Sequence, residues 1–155
     1  MKYAQAAQGR VFILKLEDGE ILHEVVERFA AERGIKAAAL LLVGGARGGS
    51  RLVVGPADGD ARPVSQLNLM LDDVHEIAGV GTLFPDESGA PILHMHAANG
   101  RGAETITGCV RGAVKVWQIG EVVLFELLDC AATREFQPEM GFAVLNPAPE
   151  TRRPA

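Results

Sequence analysis

Two histidines and a cysteine in the segment PILHMHAANGRGAETITGCVRG have the residue types and the spacing of a metal site. His94 and His96 are two positions apart, so on a β-strand their side chains point to the same face. Cys109 follows after a glycine-containing interval. Imidazole nitrogens and a thiolate sulfur are ligands that Zn²⁺ and similar borderline metals prefer. Three such ligands would leave one coordination position open for water or a small ligand.

A β-hairpin would bring these side chains together. If residues 99–104 form its loop, His94 pairs with Cys109 and His96 pairs with Thr107. The apolar residues of both strands then share the opposite face, and a slip by one residue would mix the two faces. Directly paired side chains lie ~4.5–5.5 Å apart at Cβ, which is close enough to share one metal ion.

A fourth ligand could come from Glu76, His75 or His23. Glu76 is the first choice because it lies on a neighbouring predicted strand. It could instead accept a hydrogen bond from a metal-bound imidazole and so orient the ring without touching the ion. The simpler interpretation is an ordinary hairpin that binds nothing, in which Cys109 is a small buried apolar residue. His75 and His23 are then surface or hydrogen-bonded residues.

The elements that must position these residues are one helix and at least seven strands. The helix covers EILHEVVERFAAERGI, where apolar residues recur at helical spacing and Gly34 is a suitable terminator. The glycine-rich residues 44–49 connect two strands. The predicted strands are residues 10–16, 37–43 and 51–54 and the segments VSQLNLMLDD, HEIAGVGTLF, PILHMHAA, ETITGCVRG, AVKVWQIG and EVVLFELLD.

This pattern predicts an α+β domain with a mostly antiparallel sheet. So large a sheet would expose an apolar face that a partner subunit must cover. The 155 residues are enough for one domain with a hydrophobic core, which we assign to residues 1–145, followed by a proline-rich tail at 146–155.

The net charge of −5 argues against a free-standing nucleic-acid-binding protein, which usually carries a basic patch. The two cysteines are too few for a disulfide framework. The first residues do not have the pattern of a signal peptide, and the longest apolar run, AAALLLV, is far shorter than the ~20 residues of a membrane span. We therefore expect a cytoplasmic protein that does not enter a membrane.

The motifs GRVFILKLEDGE, AAERGIKAAAL, HEIAGVGTL and LHMHAANGRGAETITGCVRGAVKVWQIGEVVLFEL, in this order, resemble the PPC domain, the plant and prokaryote conserved family. The resemblance covers roughly residues 10–128. It implies an α+β fold, a mostly antiparallel sheet and a homotrimer. In many members a histidine stands at the position that Cys109 occupies here, so a metal site could persist with an altered preference.

In plants this domain is attached to AT-hooks, whereas prokaryotic members stand alone and are commonly labelled DNA-binding proteins. The chain contains no AT-hook, since TRRPA lacks the glycine-flanked core of that motif. In the plant proteins the domain looks like the part that assembles and binds partners, with DNA contact belonging to the hook. A DNA or protein partner for this chain is therefore implied by family analogy alone.

The leading hypothesis is a stand-alone oligomeric module, DNA-binding or transcription-associated, with a metal or small-ligand site. Its residues would be His94, His96, Cys109 and Glu76, and its metal would be zinc. The alternative is a metal-dependent enzyme of unknown substrate, in which the same ion activates water and Glu76 acts as general base. The sequence contains no pairing of a nucleophile with a base, which favours the binding module.

Overall fold

A computed structural model describes residues 1–147 of the protein, and the predicted tail lies outside them from residue 148. The described residues form one α-helix, α1 at Leu22–Arg33, and ten strands. The strands are β1 Ala7–Glu17, β2 Ala38–Ala46, β3 Arg51–Pro56, β4 Gln66–Met70, β5 His75–Pro85, β6 Pro91–Arg101, β7 Glu104–Cys109, β8 Val116–Leu128, β9 Thr133–Gln137 and β10 Phe142–Asn146.

Eight strands form one antiparallel sheet in the order β1-β8-β2-β5-β6-β7-β3-β4, and β9 pairs with β10 in a separate hairpin. The helix covers one face of the large sheet, and its buried residues join those of the strands in one apolar core. This arrangement confirms the predicted α+β fold with a mostly antiparallel sheet. In the described part of the chain no helix is long and apolar enough to cross a membrane.

The helix ends where the sequence predicts. Leu22, Val26 and Ala30 form its buried stripe, at spacings of four residues. Gly34 adopts the left-handed conformation with φ of 65°, which costs glycine nothing because it has no Cβ. Its N–H and that of Ile35 donate to two carbonyl oxygens of the last turn, which are thereby paired.

Three strand predictions need correction. Residues 44–46 belong to β2 rather than to a connection, since β2 continues past a bulge at Gly44. A Cβ at Gly44 would lie 2.5 Å from the carbonyl oxygen of Ile119, so the close approach of β8 requires glycine there. AVKVWQIG and EVVLFELLD are not two strands, because β8 runs through both with a bulge. The β9–β10 hairpin was not predicted, and Asn146, placed in the tail, is the last residue of β10.

Candidate metal centre

The hairpin of β6 and β7 carries three of the four predicted ligands, His94, His96 and Cys109. Its turn contains only Gly102 and Ala103, between the paired residues Arg101 and Glu104, and Gly102 has a φ of 61°. Glycine at the first central position is the usual requirement of a two-residue hairpin turn that matches the strand twist. The predicted loop over residues 99–104 is therefore wrong, because both strands continue into it.

The shorter turn moves the strand pairing by two residues. His96, not His94, stands opposite Cys109, and Thr107 stands opposite Ala98. A shift of two residues leaves every side chain on its predicted face, because side chains alternate with a period of two. The trio therefore remains on one face although the predicted pairs were wrong.

The three potential ligand atoms converge. One nitrogen of His94, one of His96 and the sulfur of Cys109 all lie within 4.8 Å of one another. The two Nε2 atoms are 3.2 Å apart, and the imidazole rings are nearly perpendicular, at 85°. Both histidines are exposed and Cys109 is partly exposed, so an ion can reach the group from solvent.

This geometry fits zinc with little movement. In a tetrahedral site with Zn–N distances of about 2.0–2.1 Å, two coordinating nitrogens lie about 3.3 Å apart. The 3.2 Å between the Nε2 atoms of His94 and His96 already matches this value. A nitrogen and a thiolate sulfur on the same ion would lie about 3.5 Å apart, so the sulfur of Cys109, which lies within 4.8 Å of both nitrogens, has to approach them by about 1.3 Å at most.

The surroundings keep His94 in the form that binds metals. Although part of its surface is exposed, the ring of His94 loses water to neighbouring groups, which lowers its pKa, and the positive charges of Arg134 and Arg111 together with neighbouring His96 lower it further. A lowered pKa means that the ring is neutral at pH 7, and neutral imidazole is the metal ligand.

The structure does not bring the other predicted ligands to this group. Glu76 pairs with Gly100, whereas His96 pairs with Val80, four residues farther along β5. At about 3.3 Å per residue, Glu76 lies about 13 Å along the sheet from the centre. Glu76 does lie on the strand next to the hairpin, as predicted, but the sequence did not indicate how far along that strand it lies.

The two remaining histidines are also elsewhere. His75 is buried, and its Nδ1 lies 2.9 Å from the backbone carbonyl oxygen of Asp73. His23 lies in the first turn of α1, and its Nδ1 is buried without a hydrogen-bond partner in the described residues. Burial is the main cause that lowers the pKa of His23. The helix packs on the face opposite to the trio, so His23 cannot supply a ligand.

One residue beside the trio was not predicted. Arg134 on β9 is buried, and its Nη2 donates to Oγ1 of Thr82 at 3.0 Å. Thr82 stands directly opposite His94 in the β5–β6 ladder, so the guanidinium lies on the same face as the trio. The sequence signal would have been an arginine within TREFQ, a segment with strand-like alternation that was not assigned to a strand.

An apolar row runs along this face up to the trio. Directly opposed residues form a row across six strands, in the order β1, β8, β2, β5, β6 and β7, and this row ends at His96 and Cys109. Three of its apolar members are well exposed: Ile13 by 75%, Leu41 by 49% and Val80 by 63%. The candidate centre therefore borders an uncovered apolar surface, which we call the open face.

Comparison with known families decides the relationship of this chain. The sequence profile of the Plants and Prokaryotes Conserved (PCC) domain matches residues 3–128. The chain belongs to the PCC domain family. This confirms the resemblance seen in the sequence motifs. No curated protein sequence matches the chain.

Solved structures share the PCC fold. The metal-containing protein AF0104 from Archaeoglobus fulgidus is 24% identical, with a TM-score of 0.81 over 94% of this chain and 99% of its own. A plant- and prokaryote-conserved protein from Pyrococcus horikoshii is 19% identical, with a TM-score of 0.78 over 94% and 97%. A protein from Bacteroides thetaiotaomicron, named a putative DNA binding protein, is 16% identical, with a TM-score of 0.70 over 91% and 96%. These similarities establish the fold of the PCC domain in this chain.

Proposed function

We propose that this PCC protein is an oligomeric binding module whose centre holds one Zn²⁺ ion through His94, His96 and Cys109. The observation that carries the proposal is the convergence of three ligand atoms within 4.8 Å, with the two nitrogens at 3.2 Å. The bound ion would supply a Lewis-acidic position open to a small ligand, since three protein ligands leave a tetrahedral site incomplete. The metal-containing name of the Archaeoglobus relative supports this proposal.

Both cysteines are free, and a thiolate ligand has to stay reduced. A cytoplasmic setting provides such conditions. We therefore place the module in the cytoplasm, in agreement with the composition.

We propose a homotrimer as the assembled form. The open face supports it, because an exposed apolar surface of this kind on a soluble domain usually marks an interface. The row of apolar residues ends at His96, so a subunit that covers the row would also approach the metal centre. Oligomerisation and metal binding would then be coupled.

For DNA, the supporting observation is only the name of relatives such as the Bacteroides protein. The net charge of −5 opposes direct contact with the phosphate backbone. We therefore propose that this module reaches DNA through a partner protein. In a gel-shift assay at low salt, the purified protein alone should not slow the migration of duplex DNA. Retardation that strengthens steeply as the salt concentration falls would show direct binding instead.

The metal proposal is tested by equilibrium dialysis of the metal-stripped protein against Zn²⁺, with metal content measured per chain. We expect one ion per chain for the unaltered protein. We expect His94→Ala and His96→Ala to bind at least about 100-fold more weakly, since each removes one of three ligands. His23→Ala is the matched control, because that histidine lies on the other face of the sheet. Equal binding by all three variants would place the ion elsewhere.

A further inference from the structure

Arg134 is a buried cation without an anionic partner. The residue is 5% exposed, and within residues 1–147 no carboxylate lies within ion-pair distance of it. Its Nε donates to the carbonyl oxygen of Ile92 at 3.4 Å, and its Nη2 donates to the carbonyl oxygen of Thr82 at 3.4 Å and to Oγ1 of Thr82 at 3.0 Å. All three acceptors are neutral. Nη1 has no hydrogen bond in the described residues and is not sealed from solvent, so it remains available as a donor.

Arg134 differs from the arginines that form ion pairs in both burial and pairing. Five arginines pair with a carboxylate, and all of their side chains are 39–58% exposed: Arg10, Arg28, Arg47, Arg101 and Arg111. Water screens charges at such positions, so each of these pairs stabilises the fold only modestly. A buried charge is costly unless it is paired. The one buried arginine of the described chain is thus the one that most needs a negative charge.

The guanidinium lies beside the metal centre. Thr82, to which it donates, stands opposite His94 on the next strand, so all three side chains share one face. Burial lowers the pKa of Arg134, and the positive charge of Arg111 lowers it further, so a bound anion would offset an unfavourable position of this cation. An anion bound between the metal and Arg134 would meet two positive charges at once.

We propose that Arg134 forms an anion-binding position next to the metal, and that its ligand is a small carboxylate. One carboxylate oxygen would occupy the open coordination position, and the other would accept from Nη1 of Arg134, because guanidinium and carboxylate match in plane and charge. The thiolate of Cys109 leaves the bound ion with one net positive charge, so the ion and Arg134 together present two, and we choose a carboxylate over phosphate because of the apolar surface beside this position. The ring of Phe84, 5.8 Å from the guanidinium carbon, adds an apolar wall that suits a carbon substituent. This inference rests on the proposed metal site.

Cobalt substitution provides the test. Co²⁺ takes the same ligands as Zn²⁺, and its visible absorption reports both binding and exchange of the fourth ligand. The Co²⁺-loaded full chain is titrated with acetate, with chloride at matched ionic strength as the blank and phosphate as the second anion. The same titrations are repeated with Arg134→Gln, Arg134→Lys and Arg47→Gln. Arg47 is the control because Asp18 already pairs with it.

We expect acetate to change the cobalt spectrum in a saturable way, and we expect acetate to bind more tightly than phosphate. Arg134→Gln should still bind Co²⁺ but lose acetate affinity by about ten- to a hundredfold, since a charged hydrogen bond is removed. Arg134→Lys keeps the positive charge but lacks the paired donors of a guanidinium, so its acetate affinity should lie between those of Arg134→Gln and the unaltered protein. This variant also provides a test if the glutamine variant does not fold. Arg47→Gln should match the unaltered protein.

The outcomes separate the two proposals. If the unaltered chain acquires no cobalt absorption, the metal site fails and this inference fails with it. If cobalt binds but acetate leaves the spectrum unchanged, or if all Arg134 variants bind acetate equally well, the metal site stands and the carboxylate position is overturned. Tighter binding of phosphate than of acetate would also overturn the choice of ligand class.

Discussion

His96 and Cys109 extend from directly opposed positions of β6 and β7, on the face of the sheet away from the helix. The sulfur of Cys109, one nitrogen of His96 and one of His94 lie within 4.8 Å of one another. In this arrangement Cys109 serves as a potential ligand and not as a core residue. Cys130, by contrast, packs against a small apolar cluster of Ala37, Phe84 and Ala132.

Metal should therefore shield one thiol and not the other. Both cysteines are partly exposed, so both should react with iodoacetamide in the metal-free protein. Saturating Zn²⁺ should slow alkylation of Cys109 by about tenfold or more, because a metal-bound thiolate is a weaker nucleophile and is less accessible. Mass spectrometry of the digested protein measures both sites in one sample. Equal protection of Cys130 would indicate a general change in the fold rather than ligation.

Removal of the metal should lower the thermal stability. A ligand that binds only the folded state at 100 times its Kd stabilises by about 2.7 kcal/mol, which corresponds to roughly 5–10 °C in Tm for a chain of this size. Addition of a chelator to the Zn²⁺-loaded protein should therefore shift Tm downward by this amount in calorimetry.

The His96→Ala variant is the control for this experiment. It should melt at one temperature whether or not zinc is present, since it lacks a ligand. A chelator effect of the same size in this variant would mean that the stabilising ion is bound outside the proposed centre.

The fold and the trio of ligands were predictable from the sequence for a physical reason. Apolar and polar residues alternate along β6 and β7, and this alternation fixes which face each residue occupies whatever the turn. His94, His96 and Cys109 therefore had to share a face. Their exact pairing depended on the number of residues in the turn, and the polar segment after His96 did not reveal that the strands continue to Arg101 and Glu104.

What the sequence could not reveal are contacts between elements that are distant along the chain. Arg134 reaches Thr82 across 52 positions, and nothing local to either residue indicates that they meet. Glu76 is the opposite case: it was expected to contact the trio and does not, because the correct strand alone does not give the position of a residue along it. Such contacts depend on how the β9–β10 hairpin lies on the large sheet, which is set by tertiary packing and not by periodicity.

The open face should control assembly. Val80 is 63% exposed and is the last apolar residue of the row, directly beside His96. We expect Val80→Asp to convert the oligomer to monomers in size-exclusion chromatography with light scattering, because a charge buried in an apolar interface is not compensated. Glu24→Lys, on the exposed side of α1, should leave the mass unchanged. A monomeric unaltered protein would exclude the open face as a self-association surface.

The ion pair of Arg10 and Glu126 should make stability depend on acid pH. Nε and Nη2 of Arg10 each donate to one carboxylate oxygen of Glu126 at 2.7 Å, and Nη2 also donates to the carbonyl oxygen of Arg33 at the end of α1. These hydrogen bonds from Arg10 lower the pKa of Glu126 from 4.5 to about 2. A carboxyl with a depressed pKa stabilises the folded state above its unfolded pKa, and this contribution is lost as the pH falls from 4.5 towards 2.

Glu126→Gln should therefore lower the free energy of unfolding by about 1 kcal/mol at pH 7, a modest value because the Arg10 side chain is more than half exposed and water screens the pair. The difference between the two proteins should shrink as the pH drops below 4.5, since protonation of the unaltered Glu126 removes the same interaction. Urea unfolding at several pH values measures it. Glu17→Gln, which disrupts a largely exposed pair with Lys15, should have almost no effect. A difference that stays constant down to pH 3 would show that Glu126 stabilises by packing and not by its charge.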